Sequence, residues 1–384
     1  VEKWDKQFPY DNRALQLRCA QATATRTPLP PSRCPGNRRW IQLVFDAFLL
    51  QQGATSMLDA RDAMLAADRM RFGGKDLKVM WDAFASRGMG KGASTPNADS
   101  GDPVPSFASP RSRNAVVRFA GSKAGRIYVG HFEARATPVA DTSAKPKKVG
   151  STVRLTPGRY EMLAVSRARG FKRFTVTVHA GEHRTIRLRM PKNLAARKNG
   201  ARVLAATDGS LNPLALIDGT ERTAWAGVTA EPVSTSHPAV TVDLAGGVHT
   251  VHRVQVSAML NPAPADGTEV PRAKDPDPDS GSRFTALRSF ALEACVRGCG
   301  SADAVWKRFY TSRGNAFPAV RPRPVAPNLT LRGFSVPPTR AAAVRLVALD
   351  NQCTGYAGYA GEQDNDPTAP TDCTTGSDRG TIVH

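Results

Sequence analysis

The sequence predicts a multidomain α + β protein, in which an N-terminal helical segment is followed by two antiparallel β-sandwich domains. Apolar residues first recur at the period of a helix and later alternate with polar residues at the period of a strand. The length of 384 residues also exceeds what one domain usually holds. We expect a helical segment at 1–92, a linker at 93–112, a first β-sandwich at 113–192 and a second at 193–384.

Three helices are predicted in the N-terminal segment. The apolar residues of 38–52 follow a period close to 3.6 residues. Ser56 and Asp59 have the spacing of a capping box, which predicts that a second helix begins there and runs to about residue 70. A third helix is predicted over 75–87. The connections are short, so we expect the helices to be antiparallel and to bury one shared face.

Alternating apolar residues predict the strands of both β-sandwiches. In the first, the segments 174–179 and 183–190 flank a turn and predict a hairpin with one buried face. Earlier strands are predicted at 115–120, 126–134, 152–155 and 160–166. In the second, alternation at 239–244 and 251–256 predicts strands, and the Pro- and Asp-rich stretch 261–282 predicts a long surface loop.

The cysteines indicate an oxidising environment. The six cysteines fall into three couples that are close in sequence: Cys19 with Cys34, Cys295 with Cys299, and Cys353 with Cys373. Each couple could close a small loop, which predicts disulfides and a secreted, extracellular protein. Six free thiols are the alternative. A zinc site is not favoured, since no couple has C-x₂-C spacing, and no apolar run reaches the length of a membrane-spanning helix.

The net charge of +20 lies mostly in residues 113–200. A basic surface attracts polyanions, such as anionic cell-envelope polymers or nucleic acid, through a force that salt weakens. A solvated surface without a ligand is the alternative. Aromatic residues do not interleave with the basic ones, which counts against single-stranded nucleic acid. The candidate polyanion-binding residues are Lys145, Lys147, Lys148, Arg184, Arg187 and Arg189.

The helical segment carries residues that identify a family. The stretches Ser56–Asp68, Gly73–Gly74 and Trp81–Gly90, at this spacing, resemble the C-terminal portion of fungalysin-type zinc metallopeptidases. The resemblance covers roughly residues 1–112. It implies a helical lobe similar to that of thermolysin, and a secreted zinc endopeptidase in which zinc-activated water attacks a peptide carbonyl.

The catalytic motif of that family is not present in this sequence. In the family, H-E-x-x-H supplies two zinc ligands and a general base from one helix face. None of the seven histidines lies in such a motif. The resemblance places these groups before Val1, so we expect zinc to be bound by a missing upstream segment. No catalytic residue is assigned in this chain, which alone should hydrolyse nothing.

Two histidine pairs are alternative candidates for a metal site. His179 and His183 match the inverted order H-x-x-E-H, which requires a helix. The surrounding alternation predicts a turn instead, with both side chains exposed to solvent. His249 and His252 lie in a predicted strand, where their rings would point to opposite faces. We therefore expect no shared metal at either pair.

The β segments resemble two kinds of accessory module. Leu155–Tyr160 followed by Arg169–Lys172 resembles transthyretin-like, carboxypeptidase-regulatory domains. Ala215–Thr220, with Trp225 and Pro238–Leu244, resembles a discoidin-type, galactose-binding-like jelly roll.

The discoidin resemblance implies a structural calcium ion, for which Asp218 is the candidate ligand. Trp225 and the acidic loop Asp275–Asp279 are candidates for calcium or glycan contacts. The alternative is that Asp218 makes a turn with Gly219 and that Trp225 fills the core.

The predicted function is that of the C-terminal part of a secreted zinc metalloendopeptidase. Its β domains would position the enzyme on a protein substrate or a surface, and its partner would be the upstream catalytic half of the same precursor. The alternative is a non-catalytic adhesive fragment that binds glycans or the cell envelope. A third possibility is a fragment released by self-cleavage that stays bound to its catalytic half.

Overall fold

The computed structural model describes most of the chain. The described residues are 12–27, 29–30, 33–34, 37–53, 55–100, 103–121, 125–133, 137–143, 149–258, 285–318, 330–353 and 378–384. The chain forms two compact units. The helical unit comprises Val1–Ser100 and Val104–Arg113, and the β unit comprises Gly101–Pro103 and Asn114–His384. The predicted order, a helical segment followed by antiparallel β-sheet domains, is confirmed.

The helices of the described residues are α1 to α5. The first four lie in the helical unit: α1 is Arg13–Ala24, α2 is Asn37–Leu50, α3 is Met57–Phe72 and α4 is Leu77–Ser86. The short α5, Val233–Ser236, lies in the β unit. Helices α2 to α4 confirm the three predicted helices. Helix α1 was not predicted, because its sequence has no clear apolar stripe. In the structure its Leu17 is 53% exposed, which agrees with the absence of a buried face.

The start of α3 is fixed as its sequence predicts. The Ser56 hydroxyl accepts the backbone N–H of Asp59 at 3.2 Å, and the Asp59 carboxylate accepts the backbone N–H of Ser56 at 2.9 Å. The helix ends at Gly73, whose φ of 64° is left-handed. The predicted shared apolar face of α2, α3 and α4 is confirmed by the buried residues Leu43, Ala47, Leu65, Ala67, Leu77 and Met80.

The first part of the β unit contains two sheets. Its strands are β1 (Ala115–Gly121), β2 (Arg126–Val129), β3 (Ala140–Asp141), β4 (Thr152–Leu155), β5 (Gly158–Ser166), β6 (Gly170–Val178) and β7 (His183–Leu188). One sheet has the order β4-β1-β7 and the other has the order β3-β2-β5-β6.

The predicted hairpin of β6 and β7 is wrong. Strand β6 pairs antiparallel with β5 along its whole length, whereas β7 pairs in parallel with β1 in the other sheet. The segment 179–182 therefore connects two sheets. Alternation could not reveal this, because a hairpin and a connection between sheets bury the same side chains. Val176, Val178 and Leu188 are buried as predicted.

The second part of the β unit is a larger assembly of sheets. Its strands are β8 (Arg202–Ala206), β9 (Gly227–Val228), β10 (Ala239–Asp243), β11 (His249–Val256), β12 (Leu287–Cys295), β13 (Lys307–Thr311), β14 (Arg332–Ala341), β15 (Ala343–Asn351) and β16 (Ile382–Val383). The sheets have the orders β13-β12-β15-β10-β8, β11-β14 and β16-β9.

The core of this larger assembly contains a cluster of aromatic side chains. The Phe290 ring lies 5.0 Å from that of Phe334 and 6.2 Å from that of Phe317, measured between ring centroids. The strands predicted at 239–244 and 251–256 are confirmed as β10 and β11. The loop predicted at 261–282 lies outside the described residues, and the boundary predicted between 192 and 193 stays a prediction.

Two of the predicted disulfides are present. Cys19 is bonded to Cys34, and Cys295 is bonded to Cys299. Cys353 is also disulfide-bonded, while its predicted partner Cys373 lies outside the described residues. No cysteine of the described part of the chain is free. None of the helices in that part has the length and apolar character that a membrane-crossing helix needs.

Candidate functional site

The outer face of the sheet β4-β1-β7 carries exposed arginines. In β1, Ala115, Val117 and Phe119 are buried while Arg118 is exposed. In β4, burial alternates in the same way, so that Arg154 is exposed. Arg187 is exposed in β7, and Arg189 is exposed just after it. Because successive side chains of a strand point to opposite faces, these four arginines share the face that points away from the core.

The strand register places three of these arginines on one diagonal line. Arg154 lies beside Val116, and Arg187 lies beside Ala120. Arg118 is midway between Val116 and Ala120 on the central strand. Each step therefore crosses one strand and advances two residues, a distance of about 8 Å between neighbouring Cα atoms. Arg189 lies on the same face two residues beyond Arg187, along the direction of β7. We call Arg154, Arg118, Arg187 and Arg189 the arginine stripe.

The arginine stripe is not neutralised within its sheet. Strands β1, β4 and β7 contain no Asp or Glu. None of the four guanidinium groups forms an ion pair with another described residue. Elsewhere in the β unit exposed arginines do form ion pairs, such as Arg202 with Asp243 at 3.2 Å. The face is therefore a concentrated, solvent-accessible positive charge.

The predicted polyanion-binding residues are divided by the structure. Arg187 and Arg189 belong to the arginine stripe. Arg184 has the opposite parity on β7, and its guanidinium donates to the carbonyl oxygen of Thr177 at 3.3 Å. Lys145, Lys147 and Lys148 lie outside the described residues. The sequence-based reasoning missed Arg118 and Arg154, because only the pairing of β1 with both β4 and β7 brings them to this face.

A second polar cluster lies where the four-stranded sheet meets the larger β assembly. Its centre is Glu133, whose side chain is fully buried. Arg126 of β2 donates to Glu133 Oε1 at 2.9 Å. The hydroxyl of Thr220 donates to Glu133 Oε2 at 3.0 Å, and the backbone N–H of Glu221 donates to the same oxygen at 2.9 Å. This carboxylate therefore connects the two parts of the β unit.

Arg173 makes a parallel connection. Its guanidinium donates to the carbonyl oxygens of Thr330 and Leu331, each at 2.7 Å. Burial lowers the pKa of Arg173, an effect that the nearby charge of Glu221 opposes. Nearby, the backbone N–H of Phe171 donates to the side-chain oxygen of Gln255 at 3.3 Å, and the Gln255 amide donates back to the Phe171 carbonyl oxygen at 3.2 Å. These bonds orient β6 against β11.

Glu221 is the most perturbed acid of this junction. It is 4% exposed, and burial, followed by the charge of Glu133, raises its pKa to about 7. Ser257 donates a hydrogen bond to Oε1, which opposes this shift. Oε2 has no hydrogen-bond partner among the described residues. Glu221 therefore gains or loses its proton near neutral pH.

A partly open pocket of about 220 Å³ lies beside Glu221. Its walls are mainly apolar and include Phe171, Leu216 and Val256. The Nε1 atom of Trp225, which also lines the pocket, has no partner in the described part of the chain. Two buried polar atoms beside such a pocket are a usual setting for ordered water.

The structure places Asp218 inside a hydrogen-bonded turn. Oδ1 accepts the backbone N–H of Thr220 at 3.0 Å, and Oδ2 accepts the hydroxyl of Thr223 at 2.6 Å. Burial raises the pKa of this acid. Trp225 is buried in the core. No group of three His, Cys, Asp or Glu side chains that could hold a metal occurs among the described residues. The calcium role of Asp218 stays a prediction, and Asp275–Asp279 lies outside the described residues.

The histidine pairs lie as the sequence predicts. His179 and His183 are exposed at either end of the segment that connects β6 and β7, which is not helical. His249 lies beside the carbonyl oxygen of Ala245, with Nε2 at 3.0 Å, whereas His252 of the same strand is exposed.

The two motif segments of the helical unit are joined by one buried side chain. Arg61 of α3 donates to the carbonyl oxygens of Met89 and Gly90, at 3.1 and 3.3 Å. Its guanidinium also lies over the Trp81 ring, 5.1 Å from the centroid. Cation–π stacking and two hydrogen bonds to backbone carbonyls thus link α3, α4 and the turn that follows α4.

Comparison with known proteins gives a family match for this helical unit. Residues 17–93 match the family model described as Fungalysin metallopeptidase (M36). The match includes Arg61, Trp81 and Gly90, the residues joined above. The resemblance of the helical segment to fungalysin-type metallopeptidases is thereby confirmed. No curated protein matches this chain.

Among solved structures the chain is similar to carbohydrate-binding modules. The CBM32-3 module of a family 31 glycoside hydrolase from Clostridium perfringens has 13% identity and a TM-score of 0.29, covering 41% of this chain and 83% of the module. The CBM32-5 module of CpGH89 from the same organism, in complex with GalNAc-β-1,3-galactose, has 16% identity and a TM-score of 0.26, with coverages of 41% and 90%.

A third similar structure is chitosan-binding module 2 of a chitosanase/glucanase from Paenibacillus sp. IK-5. It has 13% identity and a TM-score of 0.24, and it was solved in complex with chitotriose. The similarity covers 41% of this chain and 86% of that module.

Proposed function

We propose that this chain is the C-terminal portion of a secreted zinc metalloendopeptidase, and that its β unit holds the enzyme on a substrate or a surface. The match of residues 17–93 to the fungalysin family carries the proposal. The buried Arg61 supports it, because this side chain joins the two segments on which the resemblance depends.

In this proposal the chain supplies structure and not the reacting groups. The sequence contains no H-E-x-x-H, and no group of metal-binding side chains occurs in the described residues. We therefore assign the zinc ligands and the general base to an upstream polypeptide of the same precursor. The helical unit would complete the peptidase fold, with Arg61 holding α3 against the turn after α4.

The test is a reconstitution assay on material purified from the natural source. We expect the chain alone to leave casein intact, and its complex with the upstream polypeptide to contain zinc and to cleave casein until a chelator is added. Chelator-sensitive cleavage by the chain alone would place the active site within it. An inactive, zinc-free complex would contradict the peptidase assignment.

A variant pair in the helical unit sharpens this test. Arg61→Met removes the buried guanidinium, whereas Arg71→Met removes an exposed one that pairs with Asp46 at 2.8 Å. We expect Arg61→Met to lower the yield of active complex at least tenfold and Arg71→Met to change it less than twofold. Equal losses would show that the Arg61 contacts are not specific to the peptidase fold.

A second candidate function is that of a non-catalytic adhesive protein. The arginine stripe favours it, because these exposed, unpaired arginines lie entirely within the β unit. Binding of the chain to an anionic polymer in the absence of any upstream polypeptide would support this role. A requirement for the upstream polypeptide in binding would contradict the adhesive function.

A further inference from the structure

We propose that the arginine stripe is a binding surface for a linear phosphodiester polymer without aromatic or sugar rings, of the poly(glycerol phosphate) kind. The assignment rests on the proposed surface-binding role of the β unit and names its ligand. It does not depend on peptidase activity, so the two proposals can fail separately.

The spacing of the arginines fits a repeating charge. Arg154, Arg118 and Arg187 lie on a straight diagonal with steps of about 8 Å between Cα atoms. Each amino-acid residue adds three backbone bonds to a chain and spans at most about 3.6 Å. A glycerol phosphate unit adds six backbone bonds, so each unit of the extended polymer spans roughly 7 Å. Flexible arginine side chains absorb the difference, and an extended polymer would meet one guanidinium at nearly every phosphate.

The side chains on this face favour phosphate. A guanidinium can donate two parallel hydrogen bonds to one phosphate group, which a lysine ammonium cannot do. No acid of β1, β4 or β7 competes for these donors. The described residues leave the four arginines without ion-pair partners, so binding breaks no existing salt bridge.

The residues between the arginines argue against polymers that contain rings. The outer positions of β1 are Val116, Arg118 and Ala120, and Thr152 and Thr185 flank Arg118. Phe, Tyr and Trp are missing from the outer positions of these three strands. Bases stack on aromatic side chains when single-stranded nucleic acid is bound, and sugars use similar ring contacts. His183, beside Val116, is the one aromatic ring at the outer positions of these three strands, so this face presents mainly positive charge.

The test measures binding of the full chain to poly(glycerol phosphate) by calorimetry between 50 and 300 mM salt. Four phosphate contacts predict that log affinity falls with log salt with a slope of about −3. In Arg118→Ser/Arg154→Ser/Arg187→Ser we expect the affinity at low salt to fall about tenfold or more, and the slope to become shallower by about 2.

A matched variant removes the same charge elsewhere. Arg197, Arg297 and Arg340 are exposed residues of the β unit outside strands β1, β4 and β7, and their triple replacement by Ser should change the affinity less than threefold. Unchanged thermal unfolding would show that both variants are folded. Equal losses in the two triple variants would overturn the proposal, since binding would then depend on net charge and not on the stripe.

Competing polymers test the class of ligand. Hyaluronan presents carboxylates on sugar rings, and oligo-dT presents phosphates with bases. We expect both to bind at least fivefold more weakly than poly(glycerol phosphate). Tighter binding of either one, or no measurable binding of poly(glycerol phosphate) at 50 mM salt, would contradict the assignment. Replacing the three arginines with Lys should retain the salt slope but lose part of the affinity, because only Arg binds phosphate through two parallel bonds.

Discussion

The backbone N–H of Glu221 donates to the carboxylate of Glu133 at 2.9 Å, while the charge of Glu133 raises the pKa of the Glu221 side chain. Glu133 follows β2 of the four-stranded sheet, whereas Glu221 belongs to a loop of the larger β assembly. Arg126 supplies the positive charge that this buried carboxylate requires. The junction within the β unit is therefore built around one buried side chain that bonds to both parts.

Replacing Glu133 should destabilise this junction. Glu133→Gln removes the negative charge that pairs with Arg126, and its single side-chain oxygen cannot accept from both Arg126 and the backbone N–H of Glu221, which donate to different oxygens of Glu133. Breaking a buried charged pair costs about 3–5 kcal/mol, and Gln retains part of the hydrogen bonding, so we expect a loss of about 2–4 kcal/mol in the free energy of unfolding. Urea unfolding measures it.

Glu231→Gln is the matched control, because Glu231 is exposed in the same unit. Its effect should stay within about 0.5 kcal/mol. A Glu133→Gln protein that is as stable as this control would show that the junction does not depend on the carboxylate.

Glu221 should make stability depend on pH near neutrality. Its pKa of about 7 in the folded state lies above the ordinary value of 4.5, so the folded state holds the proton more tightly than the unfolded state. Stability should therefore decrease as pH rises from about 4.5 to about 7, and this group should contribute no further change at higher pH. The full effect is about 3 kcal/mol.

Urea unfolding at pH 5 and pH 8 tests this expectation. Glu221→Gln keeps the size of the side chain and removes the titration, so the difference in stability between the two pH values should shrink by most of that amount. Other titrating groups are common to both proteins and cancel in the comparison. An identical pH dependence in the variant would mean that Glu221 is not the responsible group.

In this chain, sequence patterns predict the individual helices and strands better than they predict which strands pair. Helices α2 to α4 were predictable because each has an apolar stripe, and most strands were predictable because their side chains alternate. The pairing of β6 and β7 was not, since Val176 and Leu188 are buried in either arrangement. The arginine stripe was missed for the same reason, because the sequence alone gives Arg118 and Arg154 as two separate exposed residues. Only the pairing of β1 with β4 brings them to neighbouring positions.

The buried junction left no signal in the sequence. Glu133 follows a short strand, and Thr220 lies in a turn-rich loop, so neither has a local pattern that indicates burial. Charged residues are seldom fully buried, and a single acid in a loop is usually solvent-exposed. In contrast, Arg61 lies inside the segment that resembles fungalysins, although only the structure shows that its guanidinium reaches Trp81 and Gly90.

The capping box of α3 should contribute measurably to the helical unit. Ser56→Ala removes the hydroxyl that accepts the Asp59 N–H, and we expect a cost of about 1 kcal/mol. Ser86→Ala is the control, because that hydroxyl only donates to the Ala83 carbonyl oxygen at the end of α4. Hydrogen exchange should become faster in the first turn of α3 in Ser56→Ala alone. Unchanged exchange there would mean that other contacts fix the helix start.

The disulfide between Cys19 and Cys34 should hold α1 in place. Helix α1 has no clear apolar stripe, and its Leu17 is largely exposed, so this bond replaces packing as the main constraint. A loop of about 15 residues predicts about 3 kcal/mol of stabilisation in the chain-entropy model. In Cys19→Ser/Cys34→Ser we expect hydrogen exchange to accelerate throughout α1 while α3 stays protected. Cys295→Ser/Cys299→Ser is the control and should leave α1 unchanged. If α1 kept its protection without the bond, side-chain packing alone would be sufficient to hold it.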